Sequence, residues 1–372
     1  MKLGIAGPVS RDHVWLPTGE RLEKYGAVAY TVSAMARLLE GSRDEAACLS
    51  HVAPRDLPAV TTLLAHPNVD LSGLRAVENG TTEIELVYVN ERERISRQVN
   101  MMPPLAPVEM DLLRECAAVL LMPLNESDIP LAALQRLRRR TKAVVFLDAH
   151  GLLTGVGPAG ERFRKPWVDA GQWLACVDIL KMNDGEACYA AGRRLAGYAE
   201  FARFAASLLE KGPETFWITF GDQSSLLAWR YENRVFWAAV PVVTDIGPVM
   251  DTTGCGDASS AGFVHAYVKG YRNPIRSVIL GNTIGSLKAT FGEPDAFPSR
   301  PEITGVIGNH YREYLHRLLD DFLDRSRLII HEIKGGVSGA SFMYRPDGCY
   351  GSRADHARDC CGQGPAGQGP PG

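Results

Sequence analysis

No CxxC pair occurs in this chain, nor any cysteine–histidine spacing of a zinc site. Its eight cysteines are scattered. That excludes a zinc ribbon and argues against a disulfide framework, so reduced thiols in a cytoplasmic protein are expected. A charge excess is lacking too. The formal net charge is -3, which offers no strongly basic face to a nucleic acid. No apolar stretch approaches the roughly 20 residues that cross a bilayer, so no membrane partner is expected. The N-terminal MKLGIAGPVS carries one lysine and too short an apolar run for a secretory signal. GxxxxGK[ST] is absent, which excludes a P-loop kinase. GxSxG is absent, which removes the hydrolase elbow. No internal repeat points to a solenoid.

What is present is a core-forming chain of 372 residues, 45% hydrophobic, enough for one large α/β domain. KLGIA (2–6) reads as a buried strand. GAVAYTVSAMARLLEG (26–41) has helical apolar spacing and stops on Gly41. AACLSHV (46–52) reads as a strand and 54–66 as a helix. TTEIELVYVNERERISRQV (81–99) alternates like a two-stranded ribbon with one exposed face, a small flap on the main domain. Arg92, Arg94 and Arg97 on it are read as solvated. From 117 onward, AAVLLM, AVVFLDAHG, VDILKMN and TFWITFG are short buried runs separated by helical patterns, which predicts a parallel sheet covered on both faces. The runs 225–230 and 234–240 read as an edge hairpin. Helices are predicted over 254–269, 274–290 and 313–329. Residues 331–372, rich in Gly and Pro, are expected to be disordered, which leaves 1–330 as the folded domain.

The stretch DTTGCGD (251–257) carries the strongest chemical signal. Glycines before a helix let an anion approach backbone N–H groups at the positive end of the helix dipole. A carboxylate there would repel a phosphate unless it takes the proton of an attacking hydroxyl. A Gly-rich turn with Asp257 as helix cap is the plain alternative. Asn183 and Glu186, at i and i+3, suit the oxygen preference of Mg²⁺, and equally suit a capping box. Asp12 lies a few residues past the first strand, as a ligand contact or as a loop aspartate. His150, at a strand end, is read as a satisfied polar contact. Gly155–Gly160 fits GxGxxG, but Pro166 interrupts the helix that a dinucleotide site would need.

DTTGCGD is similar to the DTxGAGD signature of the ribokinase-like, or PfkB, carbohydrate kinases, with Cys255 in place of alanine. KMNDGE (181–186) resembles that family's KxNxxE segment. TFGDQS (219–224) resembles its TxGxxG nucleotide loop, with Ser224 in place of the second glycine. GPVSRDHV and YGAVAY resemble the family's N-terminal substrate segments, with Ala27 in place of the second glycine and Tyr30 near the usual asparagine. The resemblance covers about residues 1–300. It implies a three-layer α/β/α fold with a mostly parallel central sheet and a small β lid formed by about 12–25 and 75–103.

It further implies Asp257 as base and Gly254, Cys255 and Gly256 as anion hole. Asp12, Gly26, Ala27 and Tyr30 would bind the acceptor. Thr219, Gly221, Ser224, Gly254, Gly256 and Asn282 would bind ATP, and Asn183 and Glu186 would organise Mg²⁺ through water. A monovalent cation such as K⁺ often accompanies the family near the DTTGCGD loop. The implied reaction moves the γ-phosphate of ATP to a hydroxyl of a sugar or related polyol. A nucleoside or inositol kinase, or an inactive sugar- or nucleotide-binding sensor, are the alternatives. A homodimer through the lid is plausible by edge pairing.

Overall fold

The structure, a computed structural model of the chain, describes residues 1–89, 94–270, 272–293, 295–314 and 328–333. Short runs of β-branched and aliphatic residues form the strands, and amphipathic stretches return the chain between them. In order these are β1 (Lys2–Ala6), β2 (Val9–Trp15), β3 (Arg21–Ala27), α1 (Val28–Leu39), β4 (Glu45–Val52), α2 (Leu57–Leu64), β5 (Val69–Ala76), β6 (Thr82–Tyr88), β7 (Arg94–Asn100) and β8 (Ala118–Leu121). There follow α3 (Leu131–Arg140), β9 (Val144–Asp148), β10 (Thr154–Val156), β11 (Arg162–Arg164), α4 (Ala170–Leu174), β12 (Ile179–Asn183), α5 (Asp184–Ala191) and α6 (Gly197–Leu209). The chain continues through β13 (Thr215–Thr219), β14 (Ser225–Tyr231), β15 (Arg234–Val240), α7 (Cys255–Lys269), α8 (Pro274–Ala289), α9 (Arg300–His310) and β16 (His331–Glu332).

Ten strands form one sheet in the order β5–β4–β1–β8–β9–β12–β13–β14–β15–β16. From β5 to β13 all neighbours are parallel. β14, β15 and β16 then pair antiparallel at one edge. Alternate residues of each strand enter opposite cores, as the pleat requires. Ile5, Leu120, Phe146, Ile179 and Trp217 pack with α1, α2, α7 and α8. Val119, Leu121, Leu147, Leu180 and Ile218 pack with α3, α5 and α6. The result is the three-layer α/β/α arrangement expected.

A separate four-stranded sheet, β3–β2–β6–β7, is the lid, with a small core of its own made by Val14, Ile84 and Leu86. Its strands occupy 9–27 and 82–100, so the lid starts before residue 12. β5 (Val69–Ala76), partly inside the expected lid range, pairs with β4 in the main sheet instead. Two further expectations change. Gly155–Gly160 lies in an antiparallel hairpin, β10–β11, with no helix following it directly. That removes the dinucleotide reading, since no helix N-terminus meets those glycines. His331 and Glu332 pair with Trp237 and Phe236 on β15, so residues placed in the disordered tail extend the main sheet. The helix read over 313–329 lies mostly outside the described residues, as does Arg92.

Candidate active site

β1 is the switch point of the sheet. The chain moves one way to β4 and β5, then returns to build β8, β9, β12 and β13 on the other side. A crevice opens beyond the carboxyl ends of strands at such a point. Here it holds a cavity of about 230 Å³. Met122–Leu124 after β8, Asp148 at the end of β9 and His150 just after it, Lys181 and Asn183 on β12, and Thr219 on β13 line it. Glu186, Gly256, Asp257 and Ala27 complete the lining.

Asp257 sits in the first turn of α7, where the N–H groups of a helix lack intrahelical acceptors. Gly254 precedes it with φ 77°, a left-handed conformation that glycine adopts freely. A Cβ on Gly254 would also lie 2.8 Å from the Tyr30 ring. Burial pushes the Asp257 carboxyl up to about 7; the Lys181 ammonium opposes this, and Asp148 and Asp12 add to it. Burial also pushes the Cys255 thiol up to about 12, so Cys255 contributes backbone and no thiolate.

Lys181 is the one charged residue of β12. It is buried, 4% exposed, and each hydrogen of its ammonium has a destination. Nζ donates to Asp148 Oδ2 at 2.9 Å, to the Gly256 carbonyl at 2.7 Å and to Ser260 Oγ at 2.8 Å. It thereby ties the end of β12 to the first turn of α7.

Asn183 and Glu186 form a capping box at the start of α5. Glu186 N donates to Asn183 Oδ1 at 2.8 Å and Asn183 N donates to Glu186 Oε2 at 2.9 Å. The other carboxylate oxygen, Oε1, accepts from His150 Nδ1 at 2.8 Å and pairs with Arg164 Nη1 at 3.2 Å. Burial works to raise the Glu186 carboxyl, but Arg164 and His150 outweigh it and hold it below the usual range. Magnesium takes near-octahedral oxygen ligands. Both Glu186 oxygens and the Asn183 amide oxygen are spent on protein donors, one of them a cation. No group of three or more His, Cys, Asp or Glu side chains suited to a metal occurs among the described residues. These side chains do not fit an ion held directly by the protein.

On the acceptor side, Ser10 of β2 lies opposite Gly26 of β3, and Asp12 lies two residues along β2. A Cβ on Gly26 would stand 2.9 Å from the Tyr30 ring, 3.0 Å from Ser10 Oγ and 3.1 Å from Asp12 Oδ2. Glycine is required there by this close approach. Ala27 has φ 54° and ψ -121°, a conformation that costs a non-glycine residue about 1–3 kcal/mol. Asp12 and Tyr30 do not line this cavity; Tyr30 lines a second hollow of about 770 Å³ with Lys24, Tyr25 and Ser33. Tyr30 is 4% exposed, and part of its ring lies against Gly254.

Of the expected ATP residues, Thr219 lines the cavity. Gly221, φ 63°, and Ser224 belong to the turn between β13 and β14, where the Ser224 carbonyl accepts from Tyr198. Asn282 is buried, and its amide is used internally. Oδ1 accepts from Ser225 Oγ at 2.7 Å, and Nδ2 donates to the carbonyls of Val240 and Pro241 at 3.4 and 3.1 Å. It holds α8 to the end of β15.

Sequence reasoning noted Asp148 and Lys181 within their segments but gave them no role, and did not single out Arg162 or Arg164. A lysine inside the apolar run VDILKMN was a usable signal, because a buried ammonium needs partners. The two arginines had none, since they reach the site only through the β10–β11 hairpin.

The doubly wound sheet, the lid and the cavity between them define a ribokinase-like kinase fold. Arabidopsis thaliana ribokinase, solved with ribose and ATP, matches with a TM-score of 0.66 at 18% identity, over 82% of this chain and 98% of that one. A pyrophosphate-dependent kinase of the ribokinase family, solved with a pyrophosphate analogue and myo-inositol, matches with 0.63 at 19%, over 82% and 99%. Ribokinase from Thermotoga maritima matches with 0.62 at 18%, over 82% and 99%. The family model described as pfkB family carbohydrate kinase matches residues 59–296. The chain belongs to the pfkB carbohydrate kinase family.

Proposed function

We propose that this protein transfers the γ-phosphoryl group of ATP to a hydroxyl of a small sugar or related polyol. Kinases of its family are phosphotransferases with sugar hydroxyl acceptors, and ribokinase-family kinases use ATP and Mg²⁺. The observation that carries the reading is the position of Asp257. Its carboxylate enters the cavity from the first turn of α7, beside backbone donors and 2.7 Å-tethered Lys181. In the proposed step Asp257 accepts the hydroxyl proton while the acceptor oxygen bonds to the γ-phosphorus. The bond from that phosphorus to the bridging oxygen breaks, and ADP leaves with the electron pair. The N–H groups at the start of α7 stabilise the charge on the transferring phosphoryl. Asp12 and the Gly26–Ala27 segment hold the acceptor.

A cyclitol such as inositol remains within the polyol class. An ATP-bound and a pyrophosphate-dependent kinase are both similar to this chain, and a terminal diphosphate is common to their donors. A buried carboxyl raised to about 7 at the mouth of a helix favours proton transfer over an inactive sensor. A homodimer through the lid is part of the proposal. Trp15, Val87 and Ile95 face one another in register across β2, β6 and β7, with Val87 and Ile95 exposed.

The test is ADP release with Mg-ATP over a panel of sugars, polyols and nucleosides, wild type beside Asp257→Asn. The expected result is release that depends on a sugar or polyol and falls by about 10²–10⁴-fold in the variant with the fold intact. Full activity in Asp257→Asn would remove Asp257 from the mechanism.

A further inference from the structure

Lys288 stands in the last turn of α8 and is fully buried, 0% exposed. A buried ammonium is costly unless it meets partners. Its Nζ donates to the Glu293 carbonyl at 3.2 Å and lies 5.5 Å from the centre of the Phe297 ring. A carbonyl oxygen and an aromatic face both attract a cation. Among the described residues no carboxylate forms a salt bridge with it. Burial lowers its pKa from the ordinary lysine value, and Cys255 and Asp251 oppose the fall. The carbonyl end of a helix favours a cation, but an exposed lysine would serve that purpose without the cost of burial.

The end of α8 lies directly against the DTTGCGD loop. The N–H groups of Met250 and Asp251 donate to the Ala289 carbonyl at 2.8 and 3.3 Å. Within the loop, Thr253 N donates to Asp251 Oδ1 at 2.8 Å and Cys255 N to the Thr252 carbonyl at 3.3 Å. Burial raises the Cys255 thiol, and the Lys288 ammonium is the strongest charge opposing it. The ammonium therefore acts from behind on the loop that opens α7. A free monovalent cation at this junction would need carbonyl oxygens with lone pairs to spare, and a carbonyl has two. Leu287 O accepts from Thr290 N at 3.0 Å and from Thr290 Oγ1 at 2.8 Å. Ala289 O accepts from Met250 and Asp251, and Glu293 O from Lys288 Nζ and from Ala296 N at 3.2 Å. All three are filled. The Asp251 carboxylate is engaged on its other side, with Oδ2 3.5 Å from Lys24 Nζ. These groups do not fit a free monovalent cation, and the chain supplies a cation of its own among them.

Resting on the phosphotransfer reading, we propose that Lys288 is a built-in cation: its ammonium takes the part that the family resemblance gives to a monovalent ion, and the protein works without added K⁺. Lys288 does not line the cavity. It is a positioning residue, which braces the backbone that opens α7 and adds positive charge behind the N–H groups of the anion hole. An alkylammonium and K⁺ carry the same single charge. The covalent tether removes the entropic cost of capturing an ion from solution.

The experiment measures turnover and melting temperature of the full chain in tetramethylammonium, Na⁺ or K⁺ chloride at one ionic strength. Wild type is compared with Lys288→Ala and Lys288→Met. The wild type is expected to turn over at one rate, and to melt at one temperature, in all three salts. Lys288→Ala opens a space beside the Glu293 carbonyl. Its turnover in tetramethylammonium should fall on the order of tenfold, and K⁺ or methylammonium should restore part of it. Lys288→Met fills that space without a charge, so it should lose turnover and regain none. A merely structural lysine would lower the melting temperature of both variants with no cation-specific rescue, and that result overturns the proposal. Folded variants that turn over like the wild type in tetramethylammonium also overturn it. So does a wild type whose turnover or melting temperature rises specifically with K⁺, an outcome that needs no variant to fold. Turnover of no acceptor in any salt would sink the kinase reading. The melting arm then still decides: a K⁺-specific rise confined to Lys288→Ala supports the built-in cation, and its absence overturns it.

Discussion

At the scale of single residues, the site works through a lysine that the motif search left unassigned. Lys181 opposes the burial that raises Asp257, and its removal leaves Asp148 without its partner. Lys181→Met is therefore expected to move the ascending limb of the pH–rate profile to higher pH than in the wild type. Asp148→Asn/Lys181→Met should move it less, because the repulsion from Asp148 goes as well. An unmoved limb in Lys181→Met would separate Lys181 from the base. The sign for stability is opposite to that for rate. The folded Asp257 holds its proton more tightly than the unfolded one, so its stabilising contribution is present at low pH and is lost as pH rises through about 7. The base is active in the window where it costs the fold. Losing one partner of the buried Lys181–Asp148 pair costs about 3–5 kcal/mol, so the single variant should also melt earlier.

Ala27 supplies a second test. Its φ of 54° costs about 1–3 kcal/mol, while a glycine there costs roughly 0.5–1 kcal/mol in unfolded-chain entropy. Ala27→Gly should raise the melting temperature or leave it unchanged. A clear fall would mean that the methyl group, which lines the cavity, contributes packing that exceeds the strain.

At the scale of elements, most strands of the main sheet and the helices α1, α7 and α8 were legible from period and composition, while β2, β3, β5 and α9 were not read from it. Each run of apolar residues bounded by polar turns became a strand, and the KMNDGE and DTTGCGD segments became helix starts. The hairpin β10–β11 was not legible, because its strands are three residues each and their partners lie on the lid and on α5. Asn282 shows the same limit. Its place in α8 could be read from sequence, but its direction could not. Asn282→Leu would leave the Ser225 hydroxyl and two backbone carbonyls short of a partner, a loss of about 1–3 kcal/mol each at most. The expected outcome is a lower melting temperature with KM for ATP unchanged. A raised KM at constant stability would return Asn282 to the nucleotide.

At the scale of the whole molecule, the position of β1 at the switch point places the carboxyl ends of four further strands around one crevice, and the lid covers it. The in-register apolar row on the lid, Trp15–Val87–Ile95, argues for pairing with a second copy. Light scattering should show a dimer for the wild type and a monomer for Val87→Lys/Ile95→Lys. A wild type that stays monomeric at every concentration would end that proposal.

The sequence alone determined the α/β layering, the helix-start chemistry at residues 183–186 and 251–257, and the identity of Asp257 as the residue to test. These are local properties: periodicity, glycine freedom and the unsatisfied N–H groups of a helix start act over a few residues. Only the tertiary structure decided which polar groups meet. Lys181 with Gly256, and Arg164 with Glu186, are brought together by sheet order and by one short hairpin. Their pairing depends on partners 75 and 22 positions away, which no local pattern encodes.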